Sequence, residues 1–226
     1  MELSENTLQL LKNFATINSN IVIREGNKLM TVSEAKNILA SATVSESFPR
    51  EVGVYELSEL LNVLGLVEHP RIRFEDKSML IGDSTGRAQI RYFYSDVEML
   101  TSPTKPIEMP EADIEFYLDQ STLGKLKRAA SALGHSELAI TRGDNLITLT
   151  VLDNENPTSN SYSIDVDGTY NTSNFKFILN IANLKLISGS YNVKITSKLI
   201  SEFASEEGNL KYWLALEKTS TYGDNQ

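Results

Sequence analysis

Cysteine is absent from this chain, and histidine occurs only twice, as His69 and His135. Without cysteine, neither a disulfide framework nor a thiolate metal site can form. Two histidines leave little material for a zinc site or for histidine-based acid–base catalysis. No apolar run approaches the roughly 20 residues that a membrane-spanning helix needs. We therefore expect a soluble intracellular protein that has no metal or other cofactor and does not associate with a membrane.

Positive charge is also scarce, because 21 Lys and Arg residues face 30 Asp and Glu residues and leave a net charge of −9. Affinity for duplex DNA depends on Lys and Arg side chains that neutralise phosphates. An acidic chain therefore repels nucleic acid over most of its surface. Charge alone argues against DNA binding, unless the few bases share one protected surface or DNA is held by something other than affinity.

The chain contains an internal repeat. Residues 6–12 (NTLQLLK) align with residues 121–127 (STLGKLK) at an offset of 115. At a slightly larger offset of 118, residues 23–27 parallel residues 141–145, and each of these segments has a glycine suited to a tight hairpin turn. Helix, spacing and turn agree together, which favours a duplication over a chance likeness of two amphipathic helices.

The two halves share further organisation. Each is predicted to contain a second helical stretch, around residues 57–67 and 175–184. The segment 101–110 separates the halves and holds three prolines, which is typical of an extended linker. We therefore predict an N-terminal domain over residues 1–100, a linker, and a C-terminal domain over residues 111–226.

Basic residues concentrate on the predicted helices. Lys12 lies on the first helix, beside a polar face. On the third helix Lys125 and Arg128 point away from the apolar face, and Lys127 lies at its edge. No acidic residue occurs between positions 122 and 136. A solvated surface is the ordinary explanation for such a cluster, and only its place in a repeated architecture gives it further interest.

Many short segments have the composition and alternation of strands. Together with only four predicted helices they indicate an α+β fold with antiparallel sheets. The predicted strands are 21–24, 29–32, 37–44, 72–74, 79–82, 89–93, 114–118, 137–141, 146–152, 162–166, 191–196, 199–203 and 212–216.

Several segments carry a family resemblance. Residues 11–19 (LKNFATINS) and 55–67 look like the first two helices of T-even-type bacteriophage sliding clamps. The linker residues 105–107 and the segment 175–191 are similar to the same family. The last strand, 212–217 (YWLALE), also resembles that of proliferating cell nuclear antigen. The resemblance covers essentially the whole chain in order.

The resemblance implies a non-enzymatic DNA polymerase processivity factor. Two similar clamp domains per chain, each with two helices on antiparallel sheets, would assemble as a homotrimer. The helices of this closed ring would line a hole that encircles double-stranded DNA without reading its sequence. The expected partners are a DNA polymerase and an ATP-dependent clamp loader, in the cytoplasm of the infected bacterial host cell. The family also implies a role in late transcription.

Three sets of site residues follow from combining the resemblance with the sequence. The DNA channel is predicted to contain Lys12, Lys125, Lys127, Arg128, Lys176 and Lys185. A groove for a partner peptide is predicted at Ile107, Met109, Pro110, Trp213, Leu214 and Leu216, although core filling explains Trp213 nearly as well. The subunit interface is predicted to pair one strand with another, through Gln89, Arg91, Phe93, Tyr162, Ile164 and Val166.

Two other classes of function stay open at this point. The segment 82–87 (GDSTGR) faintly resembles a phosphate-binding loop, but it lacks the Gly-Lys-Ser/Thr ending and the following helix. A turn between two strands is the simpler interpretation. A metal-dependent nuclease would need clustered acids, which the sequence neither marks nor excludes. A structural or assembly phage protein that does not tether DNA is the second alternative.

Overall fold

The computed structural model describes residues 1–83, 85–103, 107–171 and 174–223. The chain divides into two compact units, Met1–Pro106 and Ile107–Gln226. The division falls within the segment 101–110 that was predicted as a linker, of which residues 104–106 lie outside the described residues. None of the helices in the described residues is long and apolar enough to cross a membrane.

The first unit begins with helix α1 (Glu5–Ile17). Ser4 caps its N-terminus, since the Ser4 side chain accepts a hydrogen bond from the Thr7 N–H. The apolar side of α1 is buried, with Phe14 fully enclosed. Glu46 binds the start of the helix by accepting hydrogen bonds from the Ser4 N–H and the Thr7 hydroxyl. Burial opposes ionisation of Glu46, but these hydrogen bonds prevail and lower its pKa to about 2.

After α1, the described residues of the first unit form a short helix, a 3₁₀ turn and seven strands. Strands β2 and β3 pair with a bulge near Gly26, β1 pairs with β4, and β5, β6 and β7 form a three-stranded antiparallel sheet. The elements are β1 (Ile21–Ile23), β2 (Gly26–Val32), β3 (Ile38–Phe48), β4 (Val52–Val54), α2 (Leu57–Leu64), β5 (Arg71–Phe74), β6 (Ser78–Gly82), β7 (Gln89–Phe93) and the 3₁₀ turn Val97–Met99.

The described residues of the second unit form one α-helix, a 3₁₀ turn and ten strands. Its antiparallel strands follow the orders β11-β10-β9-β13-β17 and β12-β8-β14-β15-β16. The elements are β8 (Ile114–Leu118), α3 (Gln120–Leu133), β9 (Glu137–Arg142), β10 (Ile147–Leu152), β11 (Tyr162–Val166), β12 (Gly168–Tyr170), β13 (Phe175–Asn180), the 3₁₀ turn Ile181–Asn183, β14 (Tyr191–Thr196), β15 (Ile200–Ser205), β16 (Leu210–Ala215) and β17 (Thr221–Tyr222).

Helix α3 has well-defined ends. Asp119 caps its N-terminus by accepting hydrogen bonds from the N–H and the hydroxyl of Thr122. Gly134 ends it in the left-handed conformation, with φ 71°, which a side chain would disfavour. The apolar side of α3, represented by Leu126, is buried and packs on β10 and β11.

The α+β fold class and all thirteen predicted strands are confirmed, although the bounds of most strands differ by a few residues. The second helix predicted for the C-terminal half, at residues 175–184, is wrong. That segment forms β13 and then the 3₁₀ turn. Its consecutive apolar residues Phe177, Ile178 and Leu179 are buried on both faces of the strand, and periodicity alone cannot distinguish such a short run from a buried helix. Four strands were missed: β4, β12, β13 and β17.

Candidate functional site

The solvent face of α3 is the most concentrated basic surface on a helix. Lys125 and Arg128 are exposed there, opposite the buried face that contains Leu126. Neither cation has a carboxylate within ion-pair distance among the described residues. The Arg128 guanidinium lies back along the helix, and a Cβ at Gly124 would come within 3.3 Å of its Nη1 atom. The glycine therefore leaves space for this arginine to lie on the helix surface.

Lys127 differs from its two neighbours on α3. Its side chain is half-buried at the edge of the apolar face. Burial lowers the pKa of Lys127, because desolvation disfavours the charged ammonium. Long lysine side chains commonly bury their methylenes and extend the ammonium toward water. We therefore expect Lys127 to contribute less to phosphate binding than the two exposed cations.

The helices of the first unit are not basic. Lys12 is exposed on α1, but Glu5 is exposed on the same helix. Helix α2 exposes Glu59, and Glu56 precedes it as the N-cap residue. Tyr92 lies beside these two acids, and burial, followed by the charges of Glu59 and Glu56, raises its pKa to about 12. Among the described helices the basic surface is thus confined to α3, and Lys12 is the single cation on α1 and α2.

The two weaker channel candidates lie elsewhere in the second unit. Lys176 on β13 donates a hydrogen bond of 2.6 Å to the Asn154 side chain. Its neighbour Phe177 faces the core, so strand alternation puts Lys176 on the sheet face opposite the one that α3 covers. The structure therefore does not bring Lys176 together with the basic face of α3. Lys185 is exposed and follows the 3₁₀ turn. At the start of that turn, the Ile181 N–H donates a hydrogen bond to the Ser136 carbonyl, close to the end of α3.

The strands predicted for the subunit interface both lie at sheet edges. Within the described residues, β7 pairs only with β6 and β11 pairs only with β10. Such edges present unpaired N–H and C=O groups that can accept another strand. Phe93 on β7 is 65% exposed, which is unusual for a large apolar side chain.

The predicted interface residues belong to two different faces of these sheets. Gln89, Arg91 and Phe93 form the exposed face of β7, whereas the residues predicted from β11 (Tyr162, Ile164 and Val166) are its half-buried side. Side chains of opposite faces cannot pack together across one continuous sheet. Sequence reasoning missed Asp165, which is exposed on β11. The alternation Tyr-Ser-Ile-Asp-Val indicated its position, but not which face lay outward.

The predicted peptide groove is more buried than expected. In the second unit Trp213, Leu214 and Leu216 are 7%, 0% and 6% exposed. The Leu214 carbonyl accepts a hydrogen bond from the buried Ser201 hydroxyl, which places this leucine in the core. The remaining groove candidates, on the segment after residue 106, are half-buried: Ile107, Met109 and Pro110.

Trp213 retains an unusual feature for a core residue. Its Nε1 atom is buried and has no hydrogen-bond partner in the part of the chain that the structure describes. On the adjacent strand the carboxylate of Glu202, directly opposite Trp213, is also buried and lies 3.4 Å from the Lys211 ammonium. Buried polar atoms without a partner are rare and require an explanation.

The described residues form no site for either enzymatic alternative. In the segment 82–87, between β6 and β7, the Asp83 N–H donates a hydrogen bond to the Ala88 carbonyl, and Ser84 lies outside the described residues. The described ranges contain no group of three His, Asp or Glu side chains that could hold a metal ion.

The chain resembles known proteins over nearly its whole length. Residues 4–84 match the family described as DNA polymerase processivity factor, and residues 115–218 match the family described as the C-terminal part of the gp45 sliding clamp. The sliding clamp of Enterobacteria phage T4 is 32% identical over 98% of this chain and 99% of its own. The sliding clamps of Escherichia phage RB69 and Vibrio phage KVP40 are each 30% identical, over 98% and 96% of this chain and 99% of their own.

Two solved structures share the fold at low sequence identity. Proliferating cellular nuclear antigen from Entamoeba histolytica superimposes with a TM-score of 0.67 at 15% identity, over 93% of this chain and 94% of its own. The Helicobacter pylori β clamp, solved with a DNA ligase peptide bound, gives a TM-score of 0.66 at 12% identity, over 100% of this chain and 69% of its own.

Proposed function

Because the chain belongs to the family of phage sliding clamps, which are DNA polymerase processivity factors, we propose that it works as a homotrimeric ring around double-stranded DNA. In this ring the helices line the hole and the strands form the outer wall. The ring would hold the polymerase at the primer end by topology, since a closed ring leaves DNA only by opening or by reaching a free end.

The observation that carries this proposal is the basic solvent face of α3. Lys125 and Arg128 are exposed and have no carboxylate within ion-pair distance among the described residues, in a chain whose net charge is −9. A few Lys and Arg contacts with phosphates give weak, sequence-independent binding. Weak binding is what sliding needs, because tight phosphate contacts would slow the ring and base contacts would stop it. Lys12, Lys127 and Lys185 would add to this surface, and Lys176 would contribute little from its position on β13.

A ring also needs subunits that join head to tail. A heterologous contact between different surfaces closes into a ring when its rotation allows. The free edges of β7 and β11 support such a contact, because they lie on different units of the chain and each offers unpaired backbone groups. Their pairing would also remove two edges that would otherwise favour aggregation.

Trp213 supports a second binding surface, for a short peptide of the polymerase. The buried Nε1–H, which has no partner among the described residues, would gain a hydrogen bond from a peptide carbonyl if the peptide opened access to it. Trp213 and Leu216 would supply apolar contacts, whereas Leu214 would act from the core beneath them. Tryptophan is enriched among residues that dominate binding energy.

Several finer points belong to the same proposal. The chain would have no catalytic activity of its own, and a separate ATP-dependent loader would open the ring. It would act in the cytoplasm of the infected bacterial host cell. A role in late transcription would use the same ring as a mobile tether.

The test is DNA synthesis on a primed circular template, with the polymerase and loader of a related phage and with or without this protein. We expect long products that depend on this protein, and we expect them to be lost when the template has free ends. Equal stimulation on circular and open-ended templates would contradict topological tethering. No stimulation on either, with partners that are active with their own clamp, would contradict the function.

A further inference from the structure

The backbone bonds of the β6–β7 ladder determine which residues face the free edge of β7. In an antiparallel ladder, facing pairs alternate between those that exchange backbone hydrogen bonds and those that do not. The Tyr94 N–H donates to the Lys77 carbonyl at 3.0 Å. At the other end of the ladder the Ala88 carbonyl accepts from the Asp83 N–H, so an even-numbered residue again bonds to the β6 side. Even-numbered residues therefore bond to β6. The N–H and C=O groups of Gln89, Arg91 and Phe93 point to the free edge.

The same reasoning applies to β11. The Gly143 N–H donates to the Leu146 carbonyl at 2.9 Å, so the even-numbered residues of β10 bond to β9. The odd-numbered residues of β10 bond to β11, and their partners in the register are the half-buried residues of β11. The backbone groups of Ser163 and Asp165 are therefore the ones at the free edge.

The residues whose backbone groups point to the free edge, odd-numbered in both β7 and β11, decide whether the two strands can pair parallel or antiparallel. Antiparallel pairing puts edge-bonding residues directly opposite one another, so the exposed face of β7 continues into the exposed face of β11. In a parallel pair, a residue whose backbone groups point to the shared edge lies opposite a residue whose backbone groups point back into its own sheet. The cationic Arg91 would then lie on the same face as the half-buried Ile164. Only the antiparallel arrangement keeps the apolar layer continuous.

Charge then selects among the antiparallel registers. Arg91 is exposed, and the described residues offer it no ion pair. Asp165 is exposed, and its Oδ1 atom accepts a hydrogen bond of 2.7 Å from the Thr148 hydroxyl. Opposite charges that face one another stabilise a strand pair, and a diagonal partner adds to this. We propose that Arg91 of one protomer lies directly opposite Asp165 of the next, with Asp167 on the diagonal, and that this pair sets the register of the subunit contact.

The register has a consequence for the other face of the joined sheet. Ile90 lies opposite Val166 and Tyr92 lies opposite Ile164, all four of them half-buried in one chain. A slip of two residues in one direction keeps apolar pairs but puts Ser163 opposite the arginine. The slip in the other direction puts Asp167 opposite Arg91, but it leaves Ile90 opposite Gly168, which has no side chain to pack and belongs to β12. This inference rests on the proposed ring, and its test must separate an incorrect register from an absent contact.

The absence of cysteine makes a crosslinking test direct. An Ile90→Cys protein is mixed with a size-tagged Val166→Cys protein and oxidised, and mixed disulfides are measured on a non-reducing gel. The pairs Ile90→Cys with Ile164→Cys and Tyr92→Cys with Val166→Cys report the two slipped registers. Because a disulfide needs a Cβ separation of about 3.5–4.5 Å, we expect the first pair to give most of the product.

Charge exchange tests the selecting pair itself. Arg91→Glu and Asp165→Arg should each weaken trimer formation in sedimentation experiments at low salt by at least roughly tenfold, because each puts like charges opposite one another. The double variant should recover most of the loss. Arg87→Glu, a charge reversal outside the strand, serves as the matched control and should leave the trimer unchanged.

The outcomes are distinguishable. A trimer that crosslinks best through a slipped pair, or a double variant as weak as the single ones, would overturn the register while leaving the ring intact. A chain that stays monomeric at all concentrations and gives no crosslink would overturn the proposed ring together with this inference.

Discussion

Asp113 offers the sharpest test of the second unit, because one carboxylate joins three separated segments. It accepts hydrogen bonds from the Ser197 N–H at 2.6 Å, the Asn171 amide at 2.9 Å and the Tyr222 hydroxyl at 2.8 Å. These bonds link the start of β8 to the β14–β15 turn and to the C-terminal strand β17. We predict that Asp113→Asn, which replaces one acceptor oxygen by a donor, loosens all three connections.

The size of the effect follows from the ionisation of this carboxylate. Burial alone would raise the pKa of Asp113, but the three hydrogen bonds prevail and lower it from 3.8 to about 2. The difference corresponds to at most about 2.5 kcal/mol of stability at neutral pH. Because the side chain is only half-buried, solvent screening reduces this to about 1 kcal/mol. With the folded pKa below the unfolded one, the stabilisation is complete above about pH 4 and is lost as the pH falls through about 2.

Urea unfolding of wild type and Asp113→Asn at several pH values, followed by the fluorescence of Trp213, tests this reasoning. Trp213 is the only tryptophan and lies in the same unit. The difference in free energy of unfolding should be about 1 kcal/mol at pH 7 and should shrink below pH 4. Tyr222→Phe should show a smaller loss, and the exposed Asp144→Asn none. A gap that stays constant from pH 7 to pH 3 would show that the carboxylate charge is not its cause.

Three further predictions concern DNA contact, packing and partner binding. The double variant Lys125→Ala, Arg128→Ala should shorten the products of clamp-dependent synthesis. It should also make the slope of log K for DNA binding against log salt concentration less steep, by about 0.9 for each phosphate that is no longer neutralised. Gly53→Ala should lower the free energy of unfolding by roughly 1–3 kcal/mol, because its Cβ would lie 2.5 Å from the Ser95 carbonyl oxygen. Trp213→Phe should weaken binding of the polymerase peptide about tenfold through loss of the Nε1–H, measured by calorimetry.

Each of these predictions has a matched control. Replacing two exposed lysines outside the helices, Lys198 and Lys218, by alanine removes the same charge and should leave product length unchanged. Equal effects of the two pairs would mean that net charge, and not the α3 surface, matters. Gly189→Ala meets no atom within 4 Å and should be neutral. Tyr117→Phe removes a polar atom away from the predicted groove, so an equal loss of peptide affinity there would argue against a specific role for Trp213.

The sequence predicted the fold best where one face of an element is wet. β7, β8, β11 and β14 have the predicted bounds, because alternation of apolar and polar residues marks a strand with one solvated face. The segment after residue 174 misled the prediction for the opposite reason. Residues 177–179 of β13 are buried on both faces, so these apolar residues run consecutively and have no period that distinguishes a strand from a helix.

The candidate site was predictable in its residue types but not in its geometry. Charge and helical spacing identified Lys125 and Arg128 without the structure. The sequence could not show that Lys176 lies on the opposite side of a sheet from α3, because that depends on which strands become neighbours. Nor could it show that Leu214 is enclosed, since β16 has consecutive apolar residues and its two faces differ only once the sheet is assembled.

The uneven distribution of charge between the two units has a physical consequence for the proposed ring. Exposed Glu5 and Glu59 on the first unit's helices would repel phosphates, while Lys125 and Arg128 on α3 would attract them. A duplex in the hole would therefore contact three helices, one from each protomer, and not all that surround it. Fewer contacts release fewer counterions, so the affinity stays low and falls only slowly as the salt concentration rises. An acidic chain with one basic helix thus favours retention by topology, because its electrostatic attraction is too local to immobilise the ring.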